Sequence, residues 1–150
     1  MSDLPRSLAE LPITASLPWL RGLQQALEES ISRDRLAHAV LIQVSPGLGG
    51  GWLARWLAAR LYCGAATVPL PCGECLNCRR VASGEQPDLT LVQPIEESKE
   101  IRIDQVRELT TQLALTSHAG GRKIVIITPA DKLNRNAANA LLKTLEEPTR

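Results

Sequence analysis

Two stretches of this sequence hold residues whose types and spacing could do chemistry. The first contains Cys63, Cys72, Cys75 and Cys78 in the pattern Cys-x8-Cys-x2-Cys-x2-Cys. Zinc prefers a tetrahedron of thiolates, and a Cys-x2-Cys pair brings two sulfurs to one side of a tight turn. Gly73 lies inside the first short pair and eases that turn. With thiols at all four positions no place remains for water, so the pattern points to a structural ion rather than a catalytic one. Four thiolates around Zn2+ leave a net charge of about −2, which the neighbouring Arg79 and Arg80 are placed to offset. The bland alternative is a set of free thiols, but the crowding of Cys72, Cys75 and Cys78 favours metal. A zinc ribbon would separate two Cys-x2-Cys pairs by a longer loop, and this spacing does not. A nucleic-acid-binding module is the weaker reading for a second reason: the chain has no Phe, and Tyr62 is its one Tyr, so stacking platforms are scarce.

The second stretch is Val44-Ser45-Pro46-Gly47-Leu48-Gly49-Gly50-Gly51-Trp52, which has the outline of a phosphate-binding loop. A working loop of the form Gly-x4-Gly-Lys-Ser/Thr closes backbone N–H groups around phosphate, reaches the β- and γ-phosphates with its lysine and holds Mg2+ with its hydroxyl. Aligning Gly49 with the last glycine of that pattern puts Gly50 at the lysine and Gly51 at the hydroxyl, with Val44 at the first glycine. A charge-assisted hydrogen bond contributes roughly 1.5–3 kcal/mol, so losing the lysine alone weakens binding about ten- to a hundredfold. The second half of such a site is an acidic residue at the end of a buried strand, orienting Mg2+ or the attacking water. Here the apolar run Ile124-Val125-Ile126-Ile127 is followed by Thr128 and Pro129, which can do neither. Asp131 stands further on and reads as a turn or cap residue. Both halves of the site are degenerate, and no hydrolysis of ATP is expected.

The elements that must position these groups alternate along the chain. Residues 18–33 carry Leu20, Leu23, Leu27 and Ile31 at helical spacing. Residues 36–44 are short, apolar and bounded by Pro46 and Gly47, which predicts a buried strand before the glycine loop. Trp52 to Leu61 reads as a helix apolar almost all round, implying contact on more than one side. Residues 63–87 are rich in Cys, Gly and Pro with little periodicity, the signature of an inserted module. A short strand is expected at 89–93, and then a helix marked by Ile103, Val106, Leu109 and Leu113 and capped near its start by Asp104. Gly120-Gly121 breaks the chain before the strand 123–128. A last helix is capped by Asn134 or Asn136 and runs towards Pro148. Strands separated by helices imply an α/β fold with a parallel sheet. No strand follows the last helix, so the 150 residues are expected to be the front part of a longer protein.

Composition narrows the class further. A chain of 150 residues with 44% apolar residues can bury a real core, about 68–70% of its unfolded surface. The net charge of +1 argues against a strongly basic nucleic-acid binder acting alone. No secretory leader is visible at the amino terminus, and no apolar run is long enough to span a bilayer. The expected compartment is the cytoplasm, where thiols stay reduced and four cysteines call for something other than disulfides.

Several stretches together resemble the bacterial clamp-loader ATPase subunits of the AAA+ family: HAVLIQVSPGLGG, the cysteine module just after the next helix, IRIDQVREL, GGRKIVIITPADKL and AANALLKTLEEP. The likeness covers the chain from about residue 18 onward. It implies a RecA-like P-loop domain carrying a small inserted zinc module at 63–87, with Cys63, Cys72, Cys75 and Cys78 as the ligands. Catalytic gamma/tau members carry Gly-Lys-Thr and an Asp-Glu pair where this chain has Gly50-Gly51 and Thr128-Pro129. That departure points to the family's non-hydrolysing type of subunit, a stator that stands beside delta and gamma/tau while the ring loads the sliding clamp on primed DNA. Such a subunit belongs to a DNA polymerase holoenzyme whose chemistry lies in other subunits. By the same resemblance Gly47 and Gly49 are phosphate-loop glycines that now only shape the turn. Asn139 and Lys143 match positions on the helix after the second nucleotide motif, with a solvated helix face as their plainer reading. The family's Ser-Arg-Cys arginine finger does not occur in the sequence. His38 and His118 have no metal-type spacing to the cysteines. Two other readings stay open: a divergent ATPase that recruits its lysine elsewhere, and a zinc module gripping nucleic acid through Arg55, Arg79 and Arg80.

Overall fold

The computed structural model describes residues 11–67, 69–95, 97–115, 117 and 121–146. The chain divides into two compact units, Met1–Gln86 and Pro87–Arg150. The first unit is all helical among its described residues. A 3-10 turn at Pro18–Leu20 leads into α1 (Arg21–Ser32), followed by α2 (Gly50–Tyr62) and α3 (Leu76–Ser83). Its core gathers Leu17 and Leu20 from the turn with Trp52, Leu53, Trp56 and Leu57 of α2, and Leu27 and Ile31 of α1 pack against it. The apolar-all-round α2 is thereby used on several sides, with Ala58 and Ala59 also buried. Glu28 ties α1 to α2 by accepting two hydrogen bonds from Arg60, at 2.8 Å from Nε and 2.6 Å from Nη2.

Residues 36–44 correct the sequence expectation. They form no strand, and Leu41 is 74% exposed. The segment still has a two-residue rhythm, since Ile42 and Val44 pack against the core while Leu41 and Gln43 face outward. A strand needs a neighbour for its backbone N–H and C=O groups, and the described part of this unit contains no other strand to pair with. Apolar content alone gave the inward face and could not supply the ladder.

The second unit is α/β. Its strands β1 (Leu89–Val92) and β2 (Ile124–Ile127) pair in parallel, Leu89 opposite Ile124 and Val92 opposite Ile127. A parallel pair needs a crossover, supplied by α4 (Ile103–Ala114), whose Leu109 clusters with Val92 and Ile101, and Leu113, Val125 and Ile127 pack against that cluster. Asp104 lies in the first turn of α4, but the cap is made by Gln105, whose Oε1 accepts the Arg102 N–H at 2.9 Å. Glutamine three positions into a helix reaches back in this way because the first turn leaves its N–H groups without partners. Lys123 closes the other end, donating from Nζ to the carbonyls of Gln112 and Leu115. A 3-10 turn at Ala130–Lys132 carries the exposed Asp131, and α5 (Arg135–Glu146) follows. Between the two candidate caps the structure selects Asn134, whose Oδ1 accepts the Ala137 N–H at 2.8 Å. No helix among the described residues is long and apolar enough to cross a membrane.

Candidate metal centre and the glycine loop

The four cysteines converge. Cys63 follows α2, Cys72 and Cys75 flank the turn at Gly73, and Cys78 sits in the first turn of α3. All four sulfurs lie within 4.8 Å of one another. The Cys72 and Cys78 sulfurs are 3.9 Å apart, and those of Cys63 and Cys75 are 4.0 Å apart. With Zn–S bonds of about 2.3 Å, the edge of a tetrahedron is about 3.8 Å, so these separations fit one thiolate-bound ion. The helix α3 differs from the sequence expectation of an aperiodic segment at 63–87. Its local signals were present: Cys75 caps it by accepting the Cys78 N–H, and Gly84 ends it at φ 78°.

Backbone N–H groups aim at the sulfurs. Those of Glu74 and Cys75 reach Cys72 Sγ at 3.4 and 3.2 Å, and that of Cys72 reaches Cys63 Sγ at 3.4 Å. Hydrogen bonds to a charged form favour it. The Cys78 N–H holds the Cys75 thiol down at about 6 against the ordinary 9.0. For Cys63 burial pushes upward, but N–H groups of Cys72 and Ala65 outweigh it and the net shift is downward. Burial pushes Cys78 up to about 12. Four sulfurs this close together, with backbone N–H groups aimed at them, are a donor set that fits one thiolate-bound divalent ion. Cys63 contributes to raising the Arg60 guanidinium, although the Glu28 hydrogen bonds are the larger cause. Arg60 is therefore paired with Glu28 and lies within electrostatic reach of Cys63. It precedes Cys63 by three residues on the same strongly helical stretch, a spacing that could have flagged it. Arg79 is exposed and Arg80 half-buried.

The glycine loop keeps its bend. Leu48 N–H bonds to Ser45 C=O at 3.1 Å, Gly47 and Gly49 have φ of 82° and 98°, and α2 begins at Gly50. Positive φ makes glycine the natural choice at positions 47 and 49. Gly50 and Gly51 are different. A Cβ at Gly50 would meet only Val44 Cβ at 3.6 Å, an ordinary contact, and one at Gly51 would meet nothing within 4 Å. A Cβ is therefore tolerated at either position without a clash. The Trp19 indole N–H donates to Leu48 C=O at 2.7 Å, a contact across the loop that sequence spacing did not suggest. Thr128 and Pro129 follow β2 as expected, in the second unit. Asn139 and Lys143 stand on the exposed face of α5, and His38 is exposed within the irregular segment. His118 lies outside the described residues. The Arg55 guanidinium donates to Leu11 C=O at 3.4 Å.

The family model described as "DNA polymerase III, delta subunit" matches residues 20–150. The chain belongs to this family. Among curated relatives it is 44% identical to DNA polymerase III subunit delta' of Pseudomonas aeruginosa over 88% of this chain and 39% of that protein. It is 40% identical to the Escherichia coli subunit delta' over 87% of this chain and 39% of the relative. Identity to the Escherichia coli subunit tau is 35%, over 82% of this chain and 19% of the relative. The chain therefore spans about two fifths of the length of the delta' proteins it matches. These delta' and tau relatives are all named as subunits of DNA polymerase III.

Proposed function

We propose that this chain forms part of a delta'-type, non-hydrolysing subunit of the DNA polymerase III clamp loader, working in the cytoplasm as a stator while partner subunits turn over ATP. On this reading residues 1–150 are a RecA-like AAA+ domain and residues 63–87 its inserted zinc module. Gamma/tau and delta are the direct partners, and the sliding clamp and primed DNA are reached through the assembled complex. The cysteines hold one structural Zn2+, fastening the module to the end of α2 and supplying no open coordination position.

The observation that carries the reading is the first turn of α2. Gly50 and Gly51 stand where a lysine and a hydroxyl would bind phosphate and Mg2+, and a Cβ would make an ordinary contact at the first and meet nothing within 4 Å at the second. A protein that depended on this pocket would not leave both positions without side chains. Phosphate release from ATP by the purified chain is the direct test. None above background is expected, and release that scales with protein concentration and requires Mg2+ would overturn the proposal. Mixing with gamma/tau and delta should give a co-eluting complex, and elemental analysis should find one zinc per chain.

A further inference from the structure

We propose that the four-cysteine centre acts as a clasp on the amino-terminal segment 11–20, so that its metal state sets whether that segment stays seated over α2. This rests on the metal reading of the cysteines and goes beyond it, by assigning the centre a mechanical task within the first unit.

The decisive contact is at Gly73, inside the turn between Cys72 and Cys75. A Cβ there would lie 2.6 Å from Thr14 Cγ2, well inside van der Waals distance, and the residue has φ 77°. The metal-binding turn and the Thr14 methyl group therefore touch backbone to side chain with no room for another atom. The turn takes its shape from the sulfurs, since Glu74 and Cys75 N–H groups both bond to Cys72 Sγ. On its other side the segment is held by α2. The Trp52 indole donates to Pro12 C=O at 2.9 Å, and Arg55 reaches Leu11 C=O. Ile13, Leu17 and Leu20 are buried, the last two against Trp52, Leu53 and Trp56. Beyond them Trp19 bonds to Leu48 C=O, so the same segment also closes over the glycine loop. Residues 11–20 are thus gripped between α2 and the cysteine turn. Loss of the ion would loosen the turn while leaving the contacts of α2 with the segment in place.

Hydrogen exchange on the full chain, read by mass spectrometry on peptides spanning 11–20, tests this. Stripping zinc with a chelator should speed exchange in that segment by about tenfold or more while peptides within α1 stay protected. Gly73→Ala with zinc retained should produce the same local loss of protection. Adding Thr14→Ala should restore it, because Thr14 Cβ lies 4.0 Å from the new methyl, an ordinary contact. The single and double variants share the same backbone strain at residue 73, so their difference isolates the contact. Unchanged exchange in 11–20 after confirmed loss of zinc, or a double variant no better than Gly73→Ala, overturns the clasp. A chain that binds no zinc by elemental analysis overturns the metal reading and the clasp together, whereas zinc bound and lost without effect on the segment sinks the clasp alone.

Discussion

Gly49 and Gly51 are separated by one residue, yet substituting each by alanine should move stability in opposite directions. Gly51 is helical, with nothing within 4 Å of where its Cβ would sit. Alanine in a helix is favoured over glycine by about 0.8–1 kcal/mol. Gly51 lies in the first turn, where less of the chain is constrained, so about 0.5 kcal/mol is expected. In a chain of this size that raises the unfolding midpoint by about 1–2 °C. Gly49 has φ 98°, buried ahead of α2. A side chain in that conformation costs about 1–2 kcal/mol, so Gly49→Ala should lower the midpoint by about 2–8 °C. Thermal unfolding of the three proteins side by side, with and without Mg2+ and ATP, is the assay. Nucleotide should shift none of them. If Gly51→Ala destabilises, or if wild type alone gains stability from nucleotide, then the backbone at Gly51 is approached by a ligand and the reasoning about a vestigial loop fails.

The metal-free cysteines should react unequally. Iodoacetamide at neutral pH is expected to label Cys75 first, with labelling rising as pH climbs through about 6, and Cys78 last because burial holds its thiol up at about 12. Tryptic mapping reads the order, and Cys78 labelled first would refute it. The lowered Cys75 value also carries a sign: in the metal-free chain its contribution to stability is present above the unfolded value near 9 and is lost as pH falls through about 6. Glu28→Gln removes the charge from a two-pronged, partly buried pair and should cost about 1 kcal/mol in urea unfolding, less at high salt; a change under 0.2 kcal/mol would mean the pair is idle. Lys123→Met leaves the carbonyls of Gln112 and Leu115 without their cation at the end of α4 and should cost about 1–2 kcal/mol, with exchange rising first in the last turn of α4. Protection there equal to wild type would refute that assignment.

The features legible in the sequence were those set by near neighbours along the chain. Helical spacing marked α1, α2 and α4, turn residues marked the ends of β1 and β2, and the cysteine interval announced one cluster of thiols. Asparagine, glutamine and glycine caps act within three or four residues, so Asn134 could be named in advance, as one of two candidates. The α3 helix was equally local, and it was missed because an eight-residue helix between metal ligands has too few turns to show a period. Other features required the folded chain. Residues 36–44 have the composition of a strand, but a ladder needs a partner strand and composition cannot say whether one lies alongside. The seating of residues 11–20 depends on two indoles, one arginine and the Thr14 methyl meeting elements about 30 to 60 residues away. No interval in the sequence encodes such a meeting, because close packing joins surfaces whose separation along the chain is arbitrary. Residue types and spacing determined which groups the cysteine turn and the glycine loop present, and tertiary contact alone decided what the cysteine turn leans on.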